Sequence, residues 1–439
     1  MSRRRTYPAL MAFGIVLLAA LCATITAFLF SVRVPAVREG LIRATATLLI
    51  LFMLVLVVRY LSLLWLGYLH HLKDSRAEPD DGSFAPPVTI LVPAYNEGPN
   101  IAASLDSLLG QRYARFEVLV IDDGSTDDTY ARASEYAGRR GGAQVRVVSK
   151  SNSGKAGALN AGIRLARYPF VLCVDGDSRL DPETLARAVR HFRDPQVAAV
   201  AGNVKVANRN NLWTRLQALE YIEGLNMARR AQGFMRAVNI IPGPVGLFRR
   251  DVLQRLGGYD TDTYAEDADL TLKILAAGWR VVYEDRAIAW TEAPEDLNSL
   301  IKQRYRWTRG ILQALLKRGS VLTSPQSFST WLSVVMMLFE SILWPVMNVA
   351  GSLFFVAVAV AYGASAYLVG WWLLLTVLDV AAALHTVAME EEDLSLVPLA
   401  VVYRFFFVLL IDVAKLFATA EEFAKVEMGW GKIERLGRI

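Results

Sequence analysis

The residues able to do chemistry sit in short, separated stretches of this 439-residue chain. Gln303-Arg304-Tyr305-Arg306-Trp307 falls on a segment, Leu297 to Arg318, whose pattern predicts a helix. At helical spacing Gln303, Arg306 and Trp307 are related as i, i+3 and i+4, so an amide, a guanidinium and an indole share one face. Such a face can grip a diphosphate and stack on a sugar. Upstream, Val174-Asp175-Gly176-Asp177 closes a predicted buried strand. Two carboxylates one residue apart at that position repel each other unless a cation is present, which points to Mg2+ or Mn2+ bridging a diphosphate. Tyr264-Ala265-Glu266-Asp267 precedes a predicted helix, Ala268 to Ala276. A carboxylate there can deprotonate a sugar hydroxyl as it attacks an anomeric carbon, and Glu266 or Asp267 can equally cap the helix.

Two further strand ends carry weaker signals. In Val92-Pro93-Ala94-Tyr95-Asn96-Glu97 the tyrosine can stack on a base and the glutamate can accept from ribose hydroxyls, although both types are common in surface loops. In Ile121-Asp122-Asp123-Gly124-Ser125 a carboxylate can accept the imide N–H of uracil, while Asp-Gly-Ser is also an ordinary turn and cap. The loop Asn152-Ser153-Gly154-Lys155-Ala156-Gly157 opens a predicted helix, with glycines for close approach and a lysine for phosphate. It lacks the Walker pattern, so it reads as phosphate contact rather than ATP hydrolysis.

The elements that must position these groups alternate between strand and helix from His70 to about Thr323. Val88–Val92, Phe116–Ile121, Val145–Val148 and Phe170–Val174 are strand-length runs rich in Val, Ile, Leu and Phe. Helical stretches, Asn100–Leu109, Thr126–Ala137 and Lys155–Ala166, lie between them, which predicts an α/β fold with a mostly parallel sheet. Ligands of such sheets bind at the carboxyl ends of the strands, where the candidate residues fall. Two more helices, Leu212–Gln232 and Leu297–Arg318, mix Trp, Leu and Arg as interface helices do.

Composition adds a membrane. The chain is 54% hydrophobic with a mean hydropathy of +0.31, more than a soluble globular protein usually carries. Leu10 to Val32 is uncharged and follows Arg3, Arg4 and Arg5, and Ala44 to Leu69 is a second apolar run containing Arg59. Helices are expected again at Trp331–Ala361, Ala366–Ala388 and Leu394–Ala418. Two spans before the soluble domain and three after it would leave the C-terminus outside, whereas the tail carries Lys425, Lys432, Arg435 and Arg438. One segment is therefore expected to be re-entrant or interfacial, with Trp331–Ala361, which holds Glu340 and Pro345, the candidate. The resulting division is 1–70, two N-terminal spans; 71–295, the soluble domain; 296–330, an interface region; 331–420, the C-terminal membrane helices; and 421–439, a basic tail. The net charge of +5 includes no compact basic patch, which argues against nucleic acid. Two cysteines, Cys22 and Cys173, imply neither a disulfide framework nor a zinc site.

With these motifs in order, the chain resembles the processive branch of the family 2 glycosyltransferases, which includes the cellulose, chitin, hyaluronan and poly-N-acetylglucosamine synthases. The resemblance rests on Asp122-Asp123, Asp175-Gly176-Asp177, Glu266-Asp267 and Gln303-x-x-Arg306-Trp307, and covers about Pro86 to Arg318. It implies a GT-A fold, a UDP-sugar donor, favoured as UDP-N-acetylglucosamine, and a cytoplasmic catalytic domain at the cell membrane. Tyr95, Glu97 and Asp123 would hold uridine, with Pro93 and Asp122 in the same donor pocket. Lys155 would hold the diphosphate, Asp175 and Asp177 the metal, and Gln303 and Arg306 the pyrophosphate. Asp267, beside Glu266, would be the general base, and Trp307 would stack on the acceptor sugar. The family often has threonine where this chain has Ala265. Ile241-Pro242-Gly243-Pro244-Val245-Gly246 looks like the loop lining the acceptor pocket of such synthases, which assigns Gly243 and Pro244 to the acceptor. The tail, with Trp430, Lys432, Arg435 and Arg438, is similar to the end of poly-β-1,6-N-acetylglucosamine synthases and to the gating segment of hyaluronan synthases; as bare sequence it is a basic amphipathic end lying on lipid. The resemblance implies a growing polysaccharide, the lipid bilayer and a small accessory membrane protein as partners. Lipid glycosylation, as by ceramide glucosyltransferases, is the alternative acceptor chemistry, and a transporter or receptor that only senses a nucleotide is the alternative outside enzymes.

Overall fold

In the computed structural model of the chain, the described residues are 39–76, 83–140, 142–363 and 365–427, with a few helical positions between 15 and 27. The first expected span, Leu10–Val32, lies for the most part outside them, and the tail from 428 onward lies wholly outside.

Among the described residues nine strands form one mixed sheet in the order β3-β4-β2-β1-β5-β8-β7-β9-β6, in which β3 (Gly138–Arg140) is an edge strand antiparallel to β4. Its parallel half is β1 (Val88–Ala94), β2 (Phe116–Asp122), β4 (Ala143–Ser149) and β5 (Phe170–Cys173), with β1 lying between β2 and β5. These are the four strands expected from the sequence; β1, β2 and β5 are buried on both faces, which is why they read as largely apolar runs, whereas β4, nearer the sheet edge, is only half-buried on one face. Val88, Ile90 and Val92 point to one face, against Ile101, Leu105 and Leu108 of α1 (Ile101–Leu109). Leu91 points to the other, against Leu159 and Ile163 of α2 (Gly154–Leu165). Period-two alternation thus gives one sheet two apolar cores. The other half is mixed: β8 (Gly246–Arg249) runs antiparallel to β5 and β7 (Val197–Val206), β7 runs parallel to β9 (Arg280–Thr291), and β6 (Ser178–Leu180) closes antiparallel to β9.

The expected helix Leu212–Gln232 is interrupted. An α-helical turn, Leu212–Leu219, passes into a π-helical stretch, Glu220–Asn226, before α3 (Met227–Phe234) resumes. After α3 come α4 (Glu266–Ala276) and α5 (Leu297–Lys317), whose first turn is capped by the Asp296 carboxylate accepting from the Ser299 amide.

Four described helices are long and apolar enough to cross a membrane: Ala44–Lys73, Phe328–Ala361, Ser365–Met389 and Leu394–Phe423. Trp331–Ala361, expected to be re-entrant or interfacial, lies within one continuous helical run. A π-helical turn, Phe339–Leu343, carries Glu340, and Pro345 sits in the first turn of the α-helix that follows, where its missing N–H is tolerated. A third π-helical turn, Tyr403–Val408, interrupts the last span and carries Arg404.

Candidate active site

The carboxyl ends of the parallel strands open onto a cleft of about 1020 Å³. Its lining includes Lys155, Asp175, Glu266 and Asp267, Gly243 and Pro244 of the loop before β8, and Gln303, Arg306 and Trp307 of α5. Lys155 and Trp307, far apart in the chain, therefore share one cavity, whereas Asp123 and Asp177 are not among the residues that line it. A smaller recess of about 280 Å³ leads off it past Pro93, Cys173, Asp175 and Tyr259.

Lys155, in the first turn of α2, donates to Asp175 Oδ1 at 2.6 Å and lies 3.2 Å from Glu266 Oε1. Burial works against its ammonium, but Asp175 and Glu266 outweigh burial and hold the lysine charged well above its ordinary range. Asp267 lies in the first turn of α4 and accepts from the Ala268 amide at 2.8 Å. Burial, reinforced by the charge of Glu266, pushes its carboxyl up to about 6 against the opposing pull of Lys155. A carboxylate poised there is suited to taking a proton near neutral pH. Space is tight: a Cβ on Gly243 would lie 2.8 Å from Lys155 Nζ and 2.9 Å from Asp175 Oδ2, so any larger residue there would displace the ends of this pair.

The strand-end residues are grouped on the neighbouring strands β1, β2 and β5. The loops after β1 and β2 are joined by the Asn96 amide donating to Ser125 Oγ (3.0 Å) and the Glu97 amide donating to Thr129 Oγ1 (2.7 Å). Glu97 reaches across to the Asp175-Gly176-Asp177 turn, where a Cβ on Gly176 would meet its Cγ at 3.1 Å. Asp123 accepts from Lys150 Nζ at 2.5 Å and from the Ser153 amide at 3.1 Å, which ties the β2 end to the phosphate-type loop. Asp122 is directed into the structure and accepts from Ser149 Oγ (2.8 Å) and the Ser125 amide (3.3 Å). Tyr95 is the exposed member of the group.

Asp175 and Asp177 offer hard carboxylate oxygens at a strand end beside the phosphate-type loop, a donor set that fits Mg2+ or Mn2+. Asp177 is buried next to Ser178, whose hydroxyl donates to it at 3.3 Å. A second acidic group, Asp260, Asp262 and Asp269, brings three carboxylates together. Lys273, Lys317 and Arg318 already neutralise it, for example by Arg318 Nε to Asp269 at 2.8 Å and Lys273 Nζ to Asp260 at 2.7 Å. It is an ion-pair cluster that pins α5 to α4.

On the other side of the cleft, Trp307 lies 6.4 Å, ring to ring, from Tyr221 of the π-helical stretch, and the Arg304 guanidinium sits 4.3 Å from the indole centre. Arg304 is in turn paired with Glu220, Nε to Oε1 at 3.0 Å, and donates to Gln303. Arg229, Tyr221 and Glu292 line the cleft without having been expected. Arg229 and Tyr221 come from a segment that reads only as an interface helix, and Glu292 follows a strand the sequence does not announce. Trp430, Lys432, Arg435 and Arg438 lie outside the described residues.

Residues 86–310, more than half of the chain, match the family described as "Glycosyltransferase like family 2", so the chain belongs to that family and is a glycosyltransferase. Among curated proteins it is similar to the poly-beta-1,6-N-acetyl-D-glucosamine synthase of Staphylococcus aureus (strain COL), 33% identical over 261 residues, covering 58% of this chain and 62% of the relative. The protein of that name from Staphylococcus epidermidis is 32% identical over 231 residues, 52% of this chain and 56% of the relative. The chain thus spans less than two thirds of the length of these relatives. Among solved structures, a mannosyltransferase of Pyrobaculum calidifontis in complex with GDP-Man and Mn2+ superposes with a TM-score of 0.60 at 24% identity, over 83% of this chain and 96% of that one. The expected GT-A fold and family are borne out.

Proposed function

We propose that this chain is a membrane-embedded, inverting polymerase that transfers sugar from a UDP-sugar, favoured as UDP-N-acetylglucosamine, to the end of a growing β-linked polysaccharide and passes the product through its own membrane helices. The observation that carries the reading is the cleft whose lining brings together a half-buried Asp267, Trp307, Lys155 and Asp175. In this reading Tyr95, Glu97 and Asp123 hold the uridine. Lys155, Gln303 and Arg306 hold the diphosphate. Trp307 and Tyr221 present the terminal sugar of the acceptor, whose hydroxyl gives its proton to Asp267 as the new C–O bond forms at the anomeric carbon. The bond from that carbon to the diphosphate breaks, its electron pair leaves on UDP, and attack from the opposite face turns an α-linked donor into a β-linked product. A divalent cation held by Asp177 and Asp175 would supply positive charge for the departing diphosphate. The relatives named as poly-beta-1,6-N-acetyl-D-glucosamine synthases support the choice of sugar and of polymer. The membrane helices support a catalytic domain held at the bilayer, for which the cytoplasmic side is proposed.

The test is to incubate membranes bearing the chain with a panel of labelled UDP-sugars, resolve product size on a gel and digest with linkage-specific hydrolases. High-molecular-weight product sensitive to an N-acetylglucosamine-specific hydrolase is expected. A product of one or two sugars on lipid would instead assign lipid glycosylation. Asp267→Asn should lower synthesis by roughly 10²–10⁴-fold while UDP binding persists; near-normal synthesis would remove it as the base.

A further inference from the structure

The turn that carries the proposed base is held from the far end of the last membrane helix. Tyr264, Ala265, Glu266 and Asp267 line the cleft in succession. Behind them α5 approaches so closely that a Cβ on Gly310 would lie 2.5 Å from both the Cβ and the backbone nitrogen of Ala265. Beside that contact, where Arg309 just precedes Gly310 and Gln313 lies about one turn after it, the Tyr264 amide donates to Gln313 Oε1 at 3.0 Å, and the Arg309 guanidinium lies 5.5 Å from the centre of the Tyr264 ring. Both α5 side chains converge on one carboxylate. Arg309 Nε donates to Glu422 Oε2 at 2.7 Å and Gln313 Nε2 donates to the same oxygen at 3.2 Å. Glu422 belongs to Leu409–Phe423, which closes the last apolar span, and its neighbour Glu421 accepts from the Tyr305 hydroxyl. Arg309 also donates to the carbonyl of Val426 at 2.5 Å, so the chain leaving that helix is clasped at the same point. Arg309 is buried and Glu422 nearly so.

The Gln313 amide links the two ends. Its nitrogen is committed to Glu422, which turns its oxygen toward the Tyr264 amide. Without Glu422 the amide can rotate and Arg309 is left as a buried cation, so the turn bearing Asp267 loses the contacts that set its register against the acceptor face. We infer that Glu422 is a positioning residue for the base turn, acting through Gln313 and Arg309, so that the last membrane helix and the catalytic turn are ordered together. This rests on the reading of Asp267 as the base.

The experiment uses the full chain in detergent or proteoliposomes with Glu422→Ala, Glu422→Gln, Gln313→Leu and the double variant Glu422→Ala/Gln313→Leu. Because the donor residues at the strand ends do not touch this network, KM for the UDP-sugar should stay within about twofold while kcat falls roughly 10- to 100-fold, the scale expected when a reacting group is misplaced by about 1 Å. Glu422→Gln, which keeps an oxygen for Arg309 and Gln313, should restore much of the rate, and the double variant should be no worse than the poorer single, as coupled residues behave. In parallel, hydrogen exchange of the peptide spanning 260–270 should quicken in Glu422→Ala with the melting temperature accounted for. Wild-type kcat with unchanged exchange in Glu422→Ala, additive losses in the double variant, or losses that merely track the amount of folded protein would each overturn the inference. A wild-type chain that turns over no UDP-sugar would sink the functional reading instead, and the exchange experiment would still decide whether Glu422 orders the turn.

Discussion

Lys155 and Asp267 are two residues whose charges are set against each other by one short stretch of cleft. The lysine is pinned as a cation between Asp175 and Glu266, and Asp267, which makes no salt bridge among the described residues, is governed mainly by burial. In the proposed role Asp267 must be ionised to accept a proton, and burial raises it to about 6, so the form competent for that role is present above that pH and lost below it. The turnover number should therefore be level above about pH 7 and fall about tenfold per unit below about pH 6. A plateau reaching unchanged to pH 5 would exclude Asp267 from that role. Gly243 gives a second test, because the atoms a new Cβ would strike are the far end of Lys155 and the Asp175 carboxylate rather than backbone. Gly243→Ala should shift the lysine off its partners, raising KM for the donor several-fold while stability changes by no more than about 1 kcal/mol; equal donor affinity in the two proteins would count against Lys155 as a diphosphate ligand.

At the scale of elements, α5 does most of the assembly. Its cleft face supplies Gln303, Arg306 and Trp307, Gly310 lets it meet the base turn, and Lys317 and Arg318 fasten it to α4. Gly310→Ala would force backbone apart, since the new Cβ would meet the Ala265 nitrogen at 2.5 Å and the Tyr264 carbonyl carbon at 2.8 Å. A cost of about 1–3 kcal/mol in thermal unfolding is expected, with activity reduced beyond the loss of folded protein. This contact also bears on Ala265, where the family often has threonine: the side chain there faces a helix at van der Waals range. The parallel half of the sheet and its helices were legible because β1, β2 and β5, buried on both faces, read as largely apolar runs between polar helices, and the half-buried β4 keeps enough valines to read as a strand. The mixed half was not. β9 carries Glu284, Asp285 and Arg286 inside the strand, charges made tolerable by partners distant in sequence, Arg190 and His191 for Glu284 and Arg230 for Asp285, while β8 has only four residues. Of the site, the acidic motifs were readable because each ends a strand or opens a helix. Arg229 and Glu292 were not, since nothing in their immediate neighbours signals a ligand.

For the whole molecule the question is how a soluble catalytic domain is registered on a membrane bundle, and the charges inside the bundle answer part of it. Arg404 and Asp379 are both fully buried, with Arg404 Nη2 donating to Asp379 Oδ1 at 2.7 Å and the Tyr60 hydroxyl donating to the same oxygen at 3.0 Å. Arg59, next to Tyr60, pairs with Glu340. The π-helical turns carry much of this network, Glu220 and Glu223 in the first, Glu340 in the second and Arg404 in the third, as is frequent where helices are locally widened for function. Separately, Glu220 pairs with Arg304, whose guanidinium lies against Trp307 in the cleft. Removing one partner leaves an uncompensated charge in an apolar bundle, so Asp379→Leu should destabilise by about 3–5 kcal/mol, whereas Asp379→Leu/Arg404→Leu should recover most of that loss. Thermal unfolding of the three proteins in one detergent measures both. If the single variant melts with the wild type, the pair does not hold the bundle together. If the double variant regains stability but not activity, the buried ions matter for more than folding, because only the packing, and not the charge pair, has been restored.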